Sequence, residues 1–208
     1  MDRRIGGSLI ALLGLIVALL LAAPAAAAAP QPPYWERFDV EIELQQNGDF
    51  VVSENQVVAF GPRSARQGFR EIPLDRVERI VDVAVSEPGR EYQRGSGTPY
   101  SFQVQRTDEG YLRIDWWFPP TANASRTFSV SYRVVGGLRY YSGGDQLYWK
   151  AIYADRPYPI EAARVVVRFP ADLPPDQVKM AAYPERLGVE GKLVDRRTVE
   201  FDGTGLAA

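Results

Sequence analysis

The chain has no cysteine and no histidine among its 208 residues. The first absence excludes disulfides, thiolate nucleophiles, cysteine-bound metal and a lipidated N-terminal cysteine. The second removes imidazole as a general base and as a metal ligand. Carboxylates, lysine, tyrosine and hydroxyls are left, and no arrangement of them compels a reaction. No catalytic residue, metal site or cofactor is therefore expected. An excess of one charge is missing too, since 24 basic and 26 acidic side chains give a net charge of −2. That balance, with charges well interspersed, excludes a nucleic-acid footprint and a polybasic lipid-binding stretch. After the first thirty residues there is also no apolar run of helical period, a single turn near Leu74 to Arg79 aside.

What is present first is an aliphatic N-terminus. Arg3 and Arg4 form a basic start, Leu9 to Ala23 an apolar run, and Ala25 to Ala29 a set of small residues at the spacing a signal peptidase needs. Residues 1–29 read as a signal peptide or, because the run is long enough for a bilayer of about 30 Å, as an uncleaved signal anchor. The body, residues 30–208, is then exported, and Arg3 and Arg4 stay on the cytoplasmic side. Without cysteine it must be held by its core alone.

The body reads as strands. Phe38, Val40, Ile42 and Leu44 alternate with Asp39, Glu41 and Glu43, which is the period of a half-buried strand. Asn47-Gly48 suits the positive φ angles of a tight hairpin, and a second β-rich run extends from Phe50 to Phe60. Its alternation breaks at Ser53 to Gln56, where a bulge or change of face is expected. Gly61 to Arg79 breaks the pattern altogether and reads as a long connection. Strands resume at Ile80–Ser86, Tyr100–Thr107, Tyr111–Phe118, Phe128–Val134, Leu147–Ile152 and Ala163–Phe169, with shorter ones at Val178–Tyr183, Val189–Val194 and Thr198–Phe201. About ten strands, Gly/Pro turns and no crossover helices predict an all-β fold, an antiparallel β-sandwich of immunoglobulin-like or fibronectin-like type.

Four stretches carry a family resemblance: the hairpin from Asp39 through Asn47-Gly48-Asp49 to Glu54, Gly68-Phe69-Arg70-Glu71-Ile72-Pro73, Tyr132-Arg133-Val134-Val135-Gly136-Gly137-Leu138, and Asp145-Gln146-Leu147-Tyr148-Trp149-Lys150. Over roughly Trp35 to Phe169 the chain resembles the N-terminal domain of the bacterial membrane proteins grouped as domain of unknown function 2207. The resemblance implies a signal peptide before the sandwich and membrane helices after it, and it implies no known reaction. Gln146 and Lys150 depart from the acid and the asparagine it leads one to expect. The end at Ala208, with no membrane segment, reads as a shortened or truncated member.

Three patterns are candidate binding residues. Trp117 falls on the polar side of its strand with Tyr111, Arg113 and Asp115, where an exposed indole suits a sugar ring or a protein partner. Tyr140, Tyr141, Tyr148 and Trp149 cluster around Gly143-Gly144, giving broad amphipathic contact beside an approachable backbone. Arg70, with Arg63, Arg66 and Glu71, offers guanidinium groups to an anion, or holds its loop to the sheet by bonding carbonyls. The function expected is an exported, extracytoplasmic module at the cell membrane, secreted if the signal is cleaved and no further anchor exists. It contacts an envelope protein and performs no catalysis. The alternative is a module binding cell-wall glycan through exposed aromatics. A weaker one is a carboxylate hydrolase using Asp115 with Asp145 or Glu109.

Overall fold

The computed structural model describes residues 33–153, 156–183 and 189–208. The export segment expected at residues 1–29 lies outside the described residues. The described chain is nearly all β, with one short 3₁₀ turn at Pro175–Gln177.

Strand β1 (Tyr34–Leu44) and strand β2 (Phe50–Ala59) form the opening hairpin. Phe38, Val40, Ile42 and Leu44 are buried, as their alternation requires. The turn between the strands uses Gly48 at φ +83°, and the Asn47 carboxamide accepts a hydrogen bond from the Asp49 backbone N–H at 3.1 Å.

The other strands are β3 (Ala65–Pro73), β4 (Arg79–Glu87), β5 (Arg90–Glu91), β6 (Gln93–Arg94), β7 (Ser101–Arg106), β8 (Tyr111–Thr121) and β9 (Ser125–Val135). They are followed by β10 (Leu138–Tyr141), β11 (Gly144–Leu147), β12 (Ile160–Arg168), β13 (Gly191–Asp195) and β14 (Thr198–Leu206). An eight-stranded sheet has the order β13-β14-β12-β1-β2-β9-β4-β5, and a four-stranded sheet the order β3-β8-β7-β6; β10 and β11 form a separate hairpin. The chain crosses between the two larger sheets after β2, β3, β5 and β8, so their inner faces share one core. Across that core Phe128 of the large sheet stacks on Trp116 and Phe118 of the small one, at ring-centroid distances of 5.7 and 4.9 Å. Burying an aromatic of this size contributes about 1.5–3 kcal/mol, so this layer contact is a principal tie between the sheets.

The sheets are mixed, which corrects the antiparallel expectation. β1 pairs in parallel with β12, from Trp35 opposite Ile160 to Glu43 opposite Arg168, and β6 pairs in parallel with β7. A period of two places every second residue inward whichever way the neighbour runs, so the pattern cannot report direction. The long path from β9 through the β10–β11 hairpin provides the crossover that a parallel pair needs.

Four local expectations also change. The segment read as a connection contains β3, whose inner positions are Gly68, Arg70 and Ile72. The register of β1 with β2 runs unbroken through Ser53 to Gln56, and its irregularity lies between Trp35 and Arg37. Beyond Leu147 the chain leaves the hairpin and dips its indole at Trp149 into the core instead of continuing as a strand to Ile152. Val178–Tyr183 forms no strand, and the large sheet ends at β13.

Candidate functional site

A polar cluster lies in the middle of the core. Glu54 and Gln56 take the inward positions of β2 that an apolar alternation would fill, and Arg70 takes one on β3. Arg70 Nε donates to both Glu54 carboxylate oxygens, at 2.8 and 3.0 Å. The Tyr132 hydroxyl donates to Glu54 Oε1 at 2.9 Å, and the Gln56 amide to Oε2 at 3.0 Å. Trp35 Nε1 in turn donates to Gln56 Oε1 at 3.1 Å. Glu54 is 1% exposed and Arg70 7%, so this is an ion pair withdrawn from water and kept by its additional hydrogen bonds. Burial alone pulls the Arg70 guanidinium down, and the adjoining Glu54 carboxylate more than reverses this, leaving it firmly charged. Burial, then Glu54, pushes the Tyr132 hydroxyl well up, so it stays a donor.

The remaining Arg70 donors reach the carbonyls of Glu71 at 3.2 Å, Lys150 at 3.4 Å and Ala151 at 3.2 Å, and its guanidinium lies 4.2 Å from the Tyr153 ring centroid. Arg70 is therefore not part of an exposed anion-binding loop. It pins the segment after β11 to the core, while Arg63 and Arg66 stay exposed. Beside it Trp149 packs edge-on to Phe50, with centroids 5.1 Å apart, and against Tyr132 at 6.2 Å. Trp149 is thus an anchor of that segment and not a free surface group.

The outer face of the four-stranded sheet carries Trp117. Register sets it between Gln67 and Ser101, with Phe69 and Gln103 on either side of Asp115 in the next row. Trp117 is half-buried, and Phe69, unmarked by the sequence reading, is the more exposed aromatic at 53%. Arg113 stacks 4.3 Å from the Phe69 ring centroid, pairs with Glu71 at 2.7 Å, and donates to both oxygens of Asp115 at 3.0 and 3.1 Å. Gln67 donates to Asp115 as well, at 3.0 Å. Asp115 is 2% exposed beneath these groups, so its oxygens are taken up in the face itself.

The β10–β11 hairpin is hydrogen-bonded into neither larger sheet. Tyr140 and Tyr141 are 64% and 60% exposed on it. A methyl at Gly48 would meet the Tyr140 hydroxyl, so that glycine lets the hairpin settle against the first turn. Below the hairpin Tyr148 is exposed, with the Arg76 guanidinium 4.6 Å from its ring centroid. A cleft of about 100 Å³ opens here between the β3–β4 connection and residues 148–153. Trp149 and Tyr153 line it, and their Nε1 and hydroxyl atoms are buried with no hydrogen-bond partner among the described residues.

Of the expected residues, the structure therefore gathers Tyr148, Trp149 and Arg70 around one segment, with Tyr140 and Tyr141 on the hairpin before it and Trp117 on a different face. Glu54, Gln56 and Tyr132 were not anticipated. Their signal was phase, since each falls in step with buried apolar neighbours.

A comparison with curated proteins finds no match. Among solved structures, the chain is similar to native leukotriene A4 hydrolase from Saccharomyces cerevisiae at 14% identity and a TM-score of 0.46, covering 82% of this chain and 27% of that one. It is also similar to an M1 zinc metallopeptidase from Deinococcus radiodurans at 8% identity and a TM-score of 0.41, covering 84% of this chain and 39% of that one. The chain thus spans well under half of either protein. Among the described residues no helix is long and apolar enough to cross a membrane. The family model described as predicted membrane protein (DUF2207) N-terminal domain matches residues 34–206, the whole run from β1 to the end of β14, and the chain belongs to that membrane-protein family of unknown function.

Proposed function

We propose that residues 30–208 form the extracytoplasmic module of a membrane-associated protein, and that it works by contact with another envelope protein, without catalysis. The observation that carries this reading is the β10–β11 hairpin, which is hydrogen-bonded into neither larger sheet and leaves Tyr140 and Tyr141 exposed. Tyrosine gives large amphipathic contact with only two side-chain torsions to freeze, which suits a contact surface. The buried Arg70–Glu54 pair and Trp149 support it by fixing the segment that follows the hairpin. Membership of a membrane-protein family supports the membrane association, and the basic, apolar, small-residue order of residues 1–29 supports export. The immunoglobulin-like or fibronectin-like layering is part of the same proposal, resting on two facing sheets around one core.

The test is a photo-crosslinking residue placed at Tyr140 or Tyr141 in intact cells, with Asp176 as an exposed control position. A discrete protein adduct from each hairpin position, weakened when the neighbouring tyrosine is changed to serine, is the expected result. Equal labelling from all three positions would end the proposal.

A second reading rests on a different face. Phe69 and Trp117 lie on the outer side of the small sheet among Gln67, Gln103, Gln105 and Arg113, a mixture of ring surface and amide or guanidinium donors that suits a sugar. Tryptophan fluorescence titrated with cell-wall glycan fragments decides it. Saturable quenching that disappears in Trp117→Ala supports the reading, and an unchanged response in that variant removes it.

A further inference from the structure

The small sheet leaves a long edge open. Four strands end the two larger sheets: β5 and β6 have two residues each, β13 five and β3 nine. Very short edges and lysine on an edge discourage pairing, and β13 has Lys192. β3 carries its protecting features, a proline and a bulge, only at its ends. The Leu74 N–H donates to the Gly110 carbonyl at 3.0 Å, which sets the phase of the β3–β8 ladder. Strand alternation then aims the backbone groups of Gly68, Arg70 and Ile72 at β8, and those of Gln67, Phe69 and Glu71 away from it. Of these outward groups, only the Glu71 carbonyl has a partner among the described residues, accepting from Arg70 Nη1 at 3.2 Å. It keeps a second lone pair.

The open stretch is bounded on both sides. Pro73, the next outward position, has no N–H to give, and the register slips between Ala65 and Gln67, where a bulge ends regular pairing. What remains is Gln67 to Glu71, with Phe69 at its centre and 53% exposed. A two-fold axis at Phe69 makes this stretch its own complement. Phe69 then meets its counterpart in a second copy, and Gln67 meets the counterpart of Glu71, each pair exchanging both backbone hydrogen bonds. The two rings lie side by side on the outer face as an aromatic cross-strand pair. On the inner side Arg70 comes opposite Gly68, which has no side chain to obstruct it, and no two charges of one sign stand directly opposed.

We infer that two copies of this chain join edge to edge through β3, antiparallel about Phe69, so that two four-stranded sheets become one of eight. This contact uses a different element from the β10–β11 hairpin and does not rest on the contact reading given for it.

The absence of cysteine opens a direct test, because an introduced thiol has no other thiol in its own chain to oxidise with. Opposed residues that exchange both hydrogen bonds have Cα atoms about 5.5 Å apart, a span a disulfide bridges. In the full chain in nonionic detergent, Gln67→Cys mixed with Glu71→Cys should give a disulfide-linked dimer on mild oxidation, with Phe69 intact. Phe69→Cys should link to itself, and Asp176→Cys, on an exposed turn, should not. Adding Phe69→Lys to the mixed pair sets two ammonium groups together at the axis and should cut the yield about tenfold. Light scattering of the unaltered chain over a dilution series keeps the test open if a variant misfolds: a doubled mass is expected, and monomer throughout overturns the inference. Linkage of Gln67→Cys or Glu71→Cys alone as strong as the mixture, or of Asp176→Cys as strong as Phe69→Cys, would overturn it too. So would a benzoylphenylalanine at position 69 in intact cells that captured a different protein in place of a second copy, since the edge would then serve a foreign strand.

Discussion

Arg70 and Glu54 join the two sheets of this molecule: the guanidinium leaves β3 of the small sheet, the carboxylate leaves β2 of the large one, and they meet at 2.8 Å in the buried space between. The pair is surrounded by aromatic and aliphatic side chains, so its strength depends on every lone pair and proton being matched.

Breaking the pair from one side leaves an uncompensated buried charge. Arg70→Met should lower stability by about 3–5 kcal/mol, read as an earlier urea midpoint at unchanged slope. The double variant Glu54→Leu/Arg70→Met should recover a good part of that loss. A double variant as unstable as the sum of the two single changes would contradict the coupling.

Tyr132→Phe removes one donor from Glu54 and leaves the ring in place. A loss of about 1–2 kcal/mol is expected, while Tyr140→Phe on the exposed hairpin should leave stability within about 0.5 kcal/mol. Thermal unfolding of the two variants side by side checks the difference.

Gly68 lies against the indole of Trp116, where an added methyl would sit 2.5 Å from Cε2 and Cζ2. Gly68→Ala should therefore push β3 away from the core and destabilise the fold by about 1–3 kcal/mol. Adding Trp116→Phe, which takes away the crowding ring edge and a buried N–H that has no partner among the described residues, should offset part of this. Calorimetry of both variants would show whether the second change helps.

On the outer face of the large sheet, hydrogen bonds from Lys192 and Arg164 hold the Glu200 carboxyl down to about 2, against an ordinary 4.5. Because the folded-state value is the lower one, the contribution of Glu200 is complete above about pH 4.5 and is lost as pH falls toward 2. The wild-type chain should lose stability across that window more steeply than Glu200→Gln. Parallel slopes from urea unfolding at a series of acid pH values would show that the carboxylate contributes nothing.

The strands whose inner residues are apolar were legible in the sequence, β1 most of all, because Phe38, Val40, Ile42 and Leu44 all meet the core. Where a polar side chain turns inward the pattern misleads. Glu54 and Gln56 made a regular strand look bulged, and Gly68 with Arg70 concealed β3 inside what read as a loop. The same residues build the central polar cluster, so the features hardest to read as strand are those that organise the interior. Sheet direction was illegible for a different reason, since alternation is identical in parallel and antiparallel neighbours. Among the site residues, Tyr140 and Tyr141 kept the outward position their glycine-rich setting suggested. Trp149 and Arg70 were drawn inward by partners far away in sequence, Phe50 and Glu54, which no local pattern records.

The parallel pairing of β1 with β12 bears on the timing of assembly. Val40 at the centre of the large sheet pairs with Glu54 in the first hairpin but finds its second neighbour only in Val165, so a growing chain can close that hairpin early but must wait for most of its length before the strand is flanked on both sides. Until then the open edge of β1 exposes unpaired backbone groups able to recruit a stray strand. Slow synthesis would prolong that interval, making the chain most prone to aggregate before residue 160 arrives.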